Sequence, residues 1–211
     1  MPFCNDYKLT FIHIPKTAGT SISTLLKLGE HNADYFENDK WINCNNRTYL
    51  HCHLTGEALR ELDTEKFNNY KSFAFVRNPY IRTLSTYFDK VQLWTPYKIT
   101  FEEINIDHFN WFLDCIFAQK DSDPNALDEH YLTQYEYVKN CDVRILRYEQ
   151  IVSDWDSFSD DYEIKGKLPH MRRNSSHRPT SDYFVDLNKD CIDKINKLYE
   201  EDFINFNYNM L

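Results

Sequence analysis

The chain has 211 residues, which suits one compact domain with a full hydrophobic core and leaves little room for a second. Hydrophobic residues make up 42% of it and aromatic residues 16%, a composition that argues against a disordered chain. Its 24 basic and 33 acidic side chains give a net charge of −9, which argues against general affinity for nucleic acid or an anionic membrane, since both need clustered positive charge. We therefore expect a single domain, residues 1–211, in which any anion site is local.

Targeting and redox signals favour a soluble protein. No stretch approaches the roughly 20 apolar residues that span a bilayer, and the N-terminus lacks the apolar core of a signal peptide. The six cysteines are scattered without a Cys-x-x-Cys pair, so neither a disulfide framework nor a zinc knuckle is indicated. We expect reduced thiols and a cytoplasmic or otherwise soluble location, and the sequence indicates no oligomeric state.

Short strand-like runs alternate with longer helix-like runs, which predicts an α/β layer fold with a parallel sheet. The run at 9–14 is rich in β-formers and ends at Pro15. A helix is predicted at 21–28, ended by Gly29. These segments form a first strand, turn and helix unit.

The same pattern recurs in the next part of the chain. A short strand is predicted at 48–53, and a helix at 55–62 with Thr55 as its N-cap. The continuous apolar run at 71–76 is typical of a central parallel strand. Asn78 is the predicted N-cap of the long helix that follows.

The second half of the chain is predicted to be mainly helical. Thr-x-x-Glu at 100–103 forms a capping box for a helix whose apolar face continues through Trp111, Phe112, Cys115 and Ile116. An apolar stripe predicts one helix over 127–138. A late strand is predicted within 142–151 and a C-terminal helix over 186–203. The inward stripes consist of Leu127, Tyr131, Leu132, Tyr135 and Val138, and of Ile192, Ile195, Leu198 and Tyr199.

The turn after the first strand has the composition of an anion site. Backbone N–H groups and the positive end of the helix dipole converge where a strand feeds a helix through a tight loop. Gly19 allows close approach of the backbone, and Lys16 adds a full positive charge. Thr17, Thr20 and Ser21 offer hydroxyl donors. The lysine precedes the glycine, so the order is not that of a Walker A loop, and an ordinary capped turn is the alternative.

A second candidate site follows the central strand. Arg77 stands at its carboxyl end, where open parallel sheets bind ligands, and a guanidinium suits a forked grip on phosphate. Ser85 lies two helical turns further on. No acidic residue follows the strand to hold Mg²⁺, as nucleoside triphosphatases often require. A surface ion pair for Arg77 and an ordinary helix position for Ser85 are the alternatives.

Two segments, "IPKTAGTS" at 14–21 and "FVRNPYIRTLSTY" at 75–87, resemble the two cofactor signatures of the sulfotransferases. They are most similar to the carbohydrate branch that includes the heparan and chondroitin enzymes. "DEHYLTQ" at 128–134 resembles the central His-x-x-x-Gln segment of that branch, and 168–187 with 199–208 resembles its closing segment. The resemblance implies a P-loop-like, three-layer α/β fold with a central, mostly parallel sheet flanked by helices.

The donor that the resemblance implies is 3′-phosphoadenosine 5′-phosphosulfate (PAPS). Arg77 and Ser85 would hold its 3′-phosphate, and Lys16 would also neutralise charge on the departing phosphate. The residues implied to surround the 5′-phosphosulfate are Lys16, Thr17, Ala18, Gly19, Thr20 and Ser21. Two anionic groups at the ends of one nucleotide need two cradles, and the sequence offers two. No metal is expected.

A histidine pair is the candidate for the catalytic base, since an attacking hydroxyl must lose its proton and imidazole titrates near neutral pH. On a strand, His51 and His53 would share a face. The resemblance implies that His53 is the base and that His51 supports it or contacts substrate. A metal site with Cys44 or Cys52, and purely structural histidines, are the alternatives.

The segment 164–181 carries five Lys or Arg side chains and no acidic residue. Such a run is often a solvated loop, but its family counterpart closes over the nucleotide. By that resemblance, Asn174 and His177 would contact the nucleotide and Arg172 the acceptor. A further set of aromatic side chains is predicted to belong to the core, or alternatively to stack on a sugar ring. It comprises Trp94, Tyr97 and Trp111.

The predicted function is therefore transfer of a sulfuryl group from PAPS to an acceptor hydroxyl, with carbohydrate as the preferred acceptor and a small hydroxyl compound as the other choice. In-line displacement with a histidine base is expected, by analogy with phosphoryl transfer. An ATP-dependent phosphotransferase and a non-catalytic nucleotide- or glycan-binding module are the alternatives. Neither nucleic acid nor a membrane is an expected partner.

Overall fold

A computed structural model of the chain describes residues 2–28, 41–44, 47–50, 52–94, 104–166, 168 and 184–211. The chain divides into two compact units. The first comprises Met1–Arg77 with Gln134–Met171, and the second comprises Asn78–Thr133 with Arg172–Leu211. No helix within the described ranges is long and apolar enough to cross a membrane. A single domain over 1–211 stays a prediction.

The first unit contains the strands. They are β1 (Phe3–Cys4), β2 (Leu9–Phe11), β3 (Trp41–Cys44), β4 (Arg47–Leu50), β5 (Lys71–Val76) and β6 (Val143–Arg147). Its helices are α1 (Gly19–Leu25), α2 (Gly56–Leu62), α3 (Thr64–Asn69), α6 (Gln134–Val138) and α7 (Ile151–Asp161). The second unit contributes α4 (Pro79–Trp94), α5 (Ile106–Ser122), α8 (Lys189–Leu198) and α9 (Glu200–Asn205).

The central sheet has the strand order β1-β2-β5-β6. β1 runs antiparallel to β2, whereas β2, β5 and β6 are parallel to one another, with Phe11 opposite Phe73 and Phe73 opposite Arg144. The prediction of an α/β fold with a mostly parallel sheet flanked by helices is thus confirmed. Because β2, β5 and β6 run the same way, they end at one edge, which we call the carboxyl edge.

Burial explains why β5 is a continuous apolar run. Phe73 and Phe75 lie in one core cluster with Ile22 of α1 and Trp155 and Phe158 of α7. The intervening side chains of the strand point to the other face of the sheet and are also fully buried, since alternate residues of a strand face opposite ways. Both faces of the strand are therefore covered, as expected in a parallel sheet.

The strand predicted at 48–53 differs in extent and in partner. β4 pairs antiparallel with β3 in a separate two-stranded sheet. The strand ends at Leu50, whose carbonyl accepts a hydrogen bond from the His53 backbone N–H at 2.8 Å, so the chain turns there. The prediction that His53 lies on a strand face is wrong, and His51 lies outside the described residues.

The predicted helix caps are confirmed where the structure describes them. Thr55 Oγ1 accepts from the Ala58 N–H at 3.2 Å, and Asn78 Oδ1 accepts from the Tyr80 N–H at 3.0 Å. Gly29 and the capping box at 100–103 lie outside the described residues. The helix that this box was predicted to open begins at Ile106, and Asn105 caps it.

The helix predicted over 127–138 is interrupted, because Asp128 binds the local backbone. Its carboxylate accepts from the His130 N–H at 2.9 Å and starts a short 3₁₀ turn, Glu129–Tyr131, so that α6 begins only at Gln134. Burial works against the charged form of this carboxylate. Hydrogen bonds from His130 and Lys90 outweigh that effect and hold the pKa of Asp128 below its usual range.

Two further predictions for the helical half need correction. The C-terminal helix is divided at Tyr199 into α8 and α9, although Ile195, Leu198 and Tyr199 are buried as predicted. Trp111 is 51% exposed on α5, so the prediction that it belongs to the core is wrong. Its indole stacks instead on the His108 ring, with centroids 5.3 Å apart.

Candidate functional site

The loop between β2 and α1, residues 12–18, is the predicted anion site, and two of its residues are left-handed. Lys16 and Ala18 have positive φ angles of 68° and 76°, while Thr17 between them does not. Nests, in which left-handed and right-handed residues alternate, turn successive N–H groups toward one concavity, and the two left-handed residues here are of the kind that nests contain. Ala18 is also the N-cap of α1 and makes no side-chain cap bond. The first N–H groups of a helix have no partner within the helix, and those of α1 lie at the end of this loop. Left-handed non-glycine residues cost about 1 kcal/mol or more each, and residues with such strained backbones are common at ligand sites.

The hydroxyl residues of this region differ in their role. Thr17 is fully buried, and its hydroxyl donates to the Ile14 carbonyl at 2.8 Å. A hydroxyl has one proton to donate, and Thr17 donates it to the loop backbone. The geometry therefore does not support the predicted donation from this hydroxyl to an anion. Thr20 is exposed and Ser21 is buried in the first turn of α1.

Gly19 is required by a neighbouring ring. A Cβ atom built on Gly19 would lie 1.6 Å from His13 Nε2, and the three nearest atoms all belong to that imidazole. The left-handed residues of the loop are Lys16 and Ala18, so Gly19 is not required for a left-handed backbone. The predicted reason for Gly19, close approach of a ligand to the backbone, is supplemented by an observed one: the glycine makes room for His13.

Arg77 reaches from the end of β5 toward the β2–α1 loop. Its guanidinium Nη1 donates to the Lys16 carbonyl at 3.2 Å, and the guanidinium carbon Cζ lies over the Tyr148 ring, 4.1 Å from the centroid. The side chain is buried, with 6% of the residue exposed. Lys16 and Arg77, which the sequence places 61 positions apart, thus meet at the carboxyl edge.

Gln134 fixes the backbone at the point where Arg77 leaves the sheet. Its amide Oε1 accepts from the Arg77 N–H at 2.8 Å, and its Nε2 donates to the Arg77 carbonyl at 2.8 Å. Gln134 is fully buried, so both bonds are shielded from water. The side-chain amide of Gln134 thus bonds the Arg77 backbone as a neighbouring strand would, and it fixes the position of that backbone.

His53, the predicted base, lies close to His13. Their ring centroids are 4.8 Å apart in an edge-to-face arrangement, and His53 is buried with 8% exposed. His13 in turn stacks on Phe11, with centroids 5.4 Å apart. Since the His13 ring covers Gly19, contacts run from His53 through His13 to the start of α1.

The remaining predicted residues have separate outcomes. Ser85 lies on α4 in the second unit and is buried. The Cys44 thiol donates to Glu61 Oε2 at 3.1 Å, which does not favour the predicted alternative of a metal site that includes Cys44. The predicted residues outside the described ranges are His51, Tyr97, Arg172, Asn174 and His177.

Sequence reasoning missed three residues that shape this site. His13 was treated only as part of a strand, although it stands two positions before the proline that ends the run. Tyr148 follows directly after β6, the position equivalent to Arg77 on β5, and that equivalence was the available signal. Gln134 belongs to the segment of the resemblance at 128–134, but nothing local in the sequence indicates that it binds the backbone of a residue 57 positions away.

The contact between Gly19 and His13 predicts a compensating pair of substitutions. Gly19→Ala should lower the free energy of unfolding by about 1–3 kcal/mol, since the imidazole must be displaced. Adding His13→Ala should recover part of that loss, with a coupling of about 0.5 kcal/mol or more. Urea unfolding of the single and double variants measures both quantities.

A control for this cycle is Gly56→Ala. A Cβ there would meet Cys141 Sγ at 2.6 Å, so His13→Ala should give Gly56→Ala no relief. Additive effects of Gly19→Ala and His13→Ala would show that the ring does not occupy this space.

The backbone clamp predicts a large loss of stability in Gln134→Leu. Leucine is similar in size but leaves the buried N–H and C=O of Arg77 without their amide partner, at a cost of about 2–4 kcal/mol. The control is Gln119→Leu, which removes a single exposed bond to the Ala126 carbonyl and should cost less than about 1 kcal/mol. Equal losses in chemical denaturation would contradict the clamp.

Comparison with known proteins adds one finding. A search of the curated proteins and a search of the solved structures each found no match to the chain. A family model described as the Sulfotransferase family matches residues 2–209, which is nearly the whole chain. The chain that brings Lys16 and Arg77 together at the carboxyl edge is a member of the Sulfotransferase family, and it is a sulfotransferase enzyme.

Proposed function

We propose that this sulfotransferase moves a sulfuryl group from PAPS to a hydroxyl of its acceptor, with His53 as the base. The observation that carries the proposal is the 3.2 Å contact between Arg77 Nη1 and the Lys16 carbonyl. It joins the two predicted cofactor segments at the carboxyl edge of a parallel sheet, where such sheets bind ligands. Family membership supports sulfuryl transfer, and the geometry supports a doubly anionic donor.

The β2–α1 loop fits the 5′-phosphosulfate. Its alternating backbone presents N–H groups, its lysine supplies a full charge, and no acidic residue stands in the first turn of α1. In this sense the loop is P-loop-like, although the lysine precedes the glycine. The residues proposed to line it are Lys16, Thr17 through its backbone, Ala18, Gly19, Thr20 and Ser21.

Arg77 fits the 3′-phosphate end of the same donor. Stacking on Tyr148 and the Gln134 clamp fix its position, and a planar guanidinium can bind phosphate oxygens with two N–H groups at once. The chain carries a net charge of −9, so the buried Arg77 supplies positive charge locally, at the carboxyl edge. Ser85, Asn174 and His177 are proposed partners of the nucleotide on the sequence resemblance alone.

Two residues of the chain are assigned chemical roles in the transfer, one in accepting a proton and one in stabilising negative charge. His53 accepts the proton that the acceptor hydroxyl loses as its oxygen attacks. Lys16 stabilises the negative charge that develops on the departing phosphate oxygen. The bound donor supplies the activated sulfuryl group and leaves as adenosine 3′,5′-bisphosphate. The scheme itself requires no metal ion.

The acceptor is proposed to be a carbohydrate hydroxyl, as in the branch that the two signature segments resemble. Arg172 and His51 are its proposed contacts, from that resemblance. Exposed Trp111, stacked on His108, supports the earlier alternative in which an aromatic side chain receives a sugar ring. A small hydroxyl compound remains the other acceptor class to test.

Calorimetric titration tests the donor site. Adenosine 3′,5′-bisphosphate should bind at least tenfold more tightly than ATP, because only a PAPS site needs a 3′-phosphate pocket. Lys16→Ala should weaken bisphosphate binding about tenfold or more, which corresponds to about 1.4 kcal/mol. Lys71→Ala is the matched control, since Lys71 is an exposed lysine at the opposite, amino-terminal end of β5, and it should bind like the parent chain.

The same preparation separates the rival functions. Tight ATP binding without a response to the bisphosphate would favour a phosphotransferase and contradict the proposal. His53→Ala should retain bisphosphate affinity but lose transfer of labelled sulfuryl to desulfated glycosaminoglycans and phenols. Unchanged transfer in that variant would remove His53 from the mechanism.

A further inference from the structure

Three side chains of the first unit that can ligate a metal ion meet beside the β2–α1 loop. His13, Cys52 and His53 each offer one ligand atom, and these atoms all lie within 4.8 Å of one another. His53 is buried, whereas His13 and Cys52 are half-buried. The cluster therefore has a protein wall on one side and remains accessible to an ion from solvent.

The three ligands come from two segments that are fixed independently. Cys52 and His53 follow β4, and the turn is closed by the bond from the His53 N–H to the Leu50 carbonyl at 2.8 Å. His13 follows β2, and its ring is held on Phe11 at an interplanar angle of 16°. Its position is also the one that Gly19 accommodates. The fold thus brings the three ligands close to one another before any ion binds.

The donor set decides which ion fits. Two imidazole nitrogens and one thiolate suit borderline or soft ions, above all Zn²⁺, whereas Ca²⁺ and Mg²⁺ prefer oxygen ligands. Bonds of about 2.0–2.3 Å place the ligand atoms of a tetrahedral zinc site about 3.5 Å apart. The ligand atoms lie within 4.8 Å of one another, so they must close by about 1 Å when the ion binds. A water molecule completes such three-ligand sites.

We propose that His13, Cys52 and His53 form a zinc site that switches this enzyme off. A neutral imidazole has one basic nitrogen lone pair, so an ion bound to His53 takes the lone pair with which it would accept the proton of the acceptor hydroxyl. Binding converts the Cys52 thiol to a thiolate and releases one proton to solvent, while both imidazoles bind in their neutral form. The inhibitory part rests on the proposed function, and the binding part does not.

Cobalt spectroscopy and zinc titration test the binding part without any assay of transfer. Co²⁺ should give a thiolate charge-transfer band in the near ultraviolet, and Zn²⁺ should displace it at one ion per chain. Cys52→Ala should lose the band and bind Zn²⁺ at least tenfold more weakly, and His13→Ala should weaken Zn²⁺ binding by a similar factor. Cys115→Ala is the control, because Cys115 is also a half-buried cysteine but lies on α5.

The outcomes are decisive for each part. Zinc binding by Cys52→Ala that equals that of the parent chain, or no cobalt band in the parent chain, would overturn the site. Circular dichroism confirms that each variant is folded, and Cys52→Ala decides the matter if His13→Ala does not fold.

Transfer assays then test inhibition. Zn²⁺ should abolish transfer in the parent chain, and a chelator should restore it. Cys52→Ala, compared with its own zinc-free rate, should need at least tenfold more Zn²⁺ for the same inhibition. Equal sensitivity would overturn the switch. If the parent chain transfers no sulfuryl group at all, the switch fails with the proposed function, and the cobalt band still decides the metal site.

Discussion

The amide of Gln134 determines where Arg77 leaves the central sheet, and the candidate site depends on that constraint. Two shielded hydrogen bonds pin the arginine backbone, so its guanidinium can lie between the Tyr148 ring and the Lys16 carbonyl. Burial of the sheet stabilises this arrangement. Both faces of β5 are covered, so the strand cannot shift register without exposing its phenylalanines. A rigid strand end thus supports a charged side chain that would otherwise be costly to bury.

The β2–α1 loop shows a second constraint, in which one ring connects two functions. His13 occupies the space above Gly19 and lies edge to face with His53. A residue that shapes the β2–α1 loop is thereby also a neighbour of the proposed base. The contact with His13 explains why a glycine stands at position 19. A cysteine and two imidazoles also lie close enough there to bind one metal ion together.

Local patterns in the sequence predicted the elements whose signals are local. The apolar run of β5 and the caps at Thr55 and Asn78 are confirmed, since each depends on neighbours within a few residues. The strand and helix on either side of Lys16 are also confirmed, but with the bounds Leu9–Phe11 and Gly19–Leu25 in place of 9–14 and 21–28. Specific hydrogen bonds decided the rest. β4 ends at Leu50, where the His53 N–H turns back to the Leu50 carbonyl, and the carboxylate of Asp128 interrupts a helix that the apolar stripe predicted.

The central claim is that Lys16 and Arg77 hold the two ends of one adenosine bisphosphate. A crystal structure of the chain with adenosine 3′,5′-bisphosphate tests it most directly. We expect the 5′-phosphate on the N–H groups of the β2–α1 loop, within hydrogen-bond distance of Lys16 Nζ, and the 3′-phosphate on the Arg77 guanidinium. A nucleotide bound elsewhere, or one whose phosphates contact neither side chain, would contradict the account.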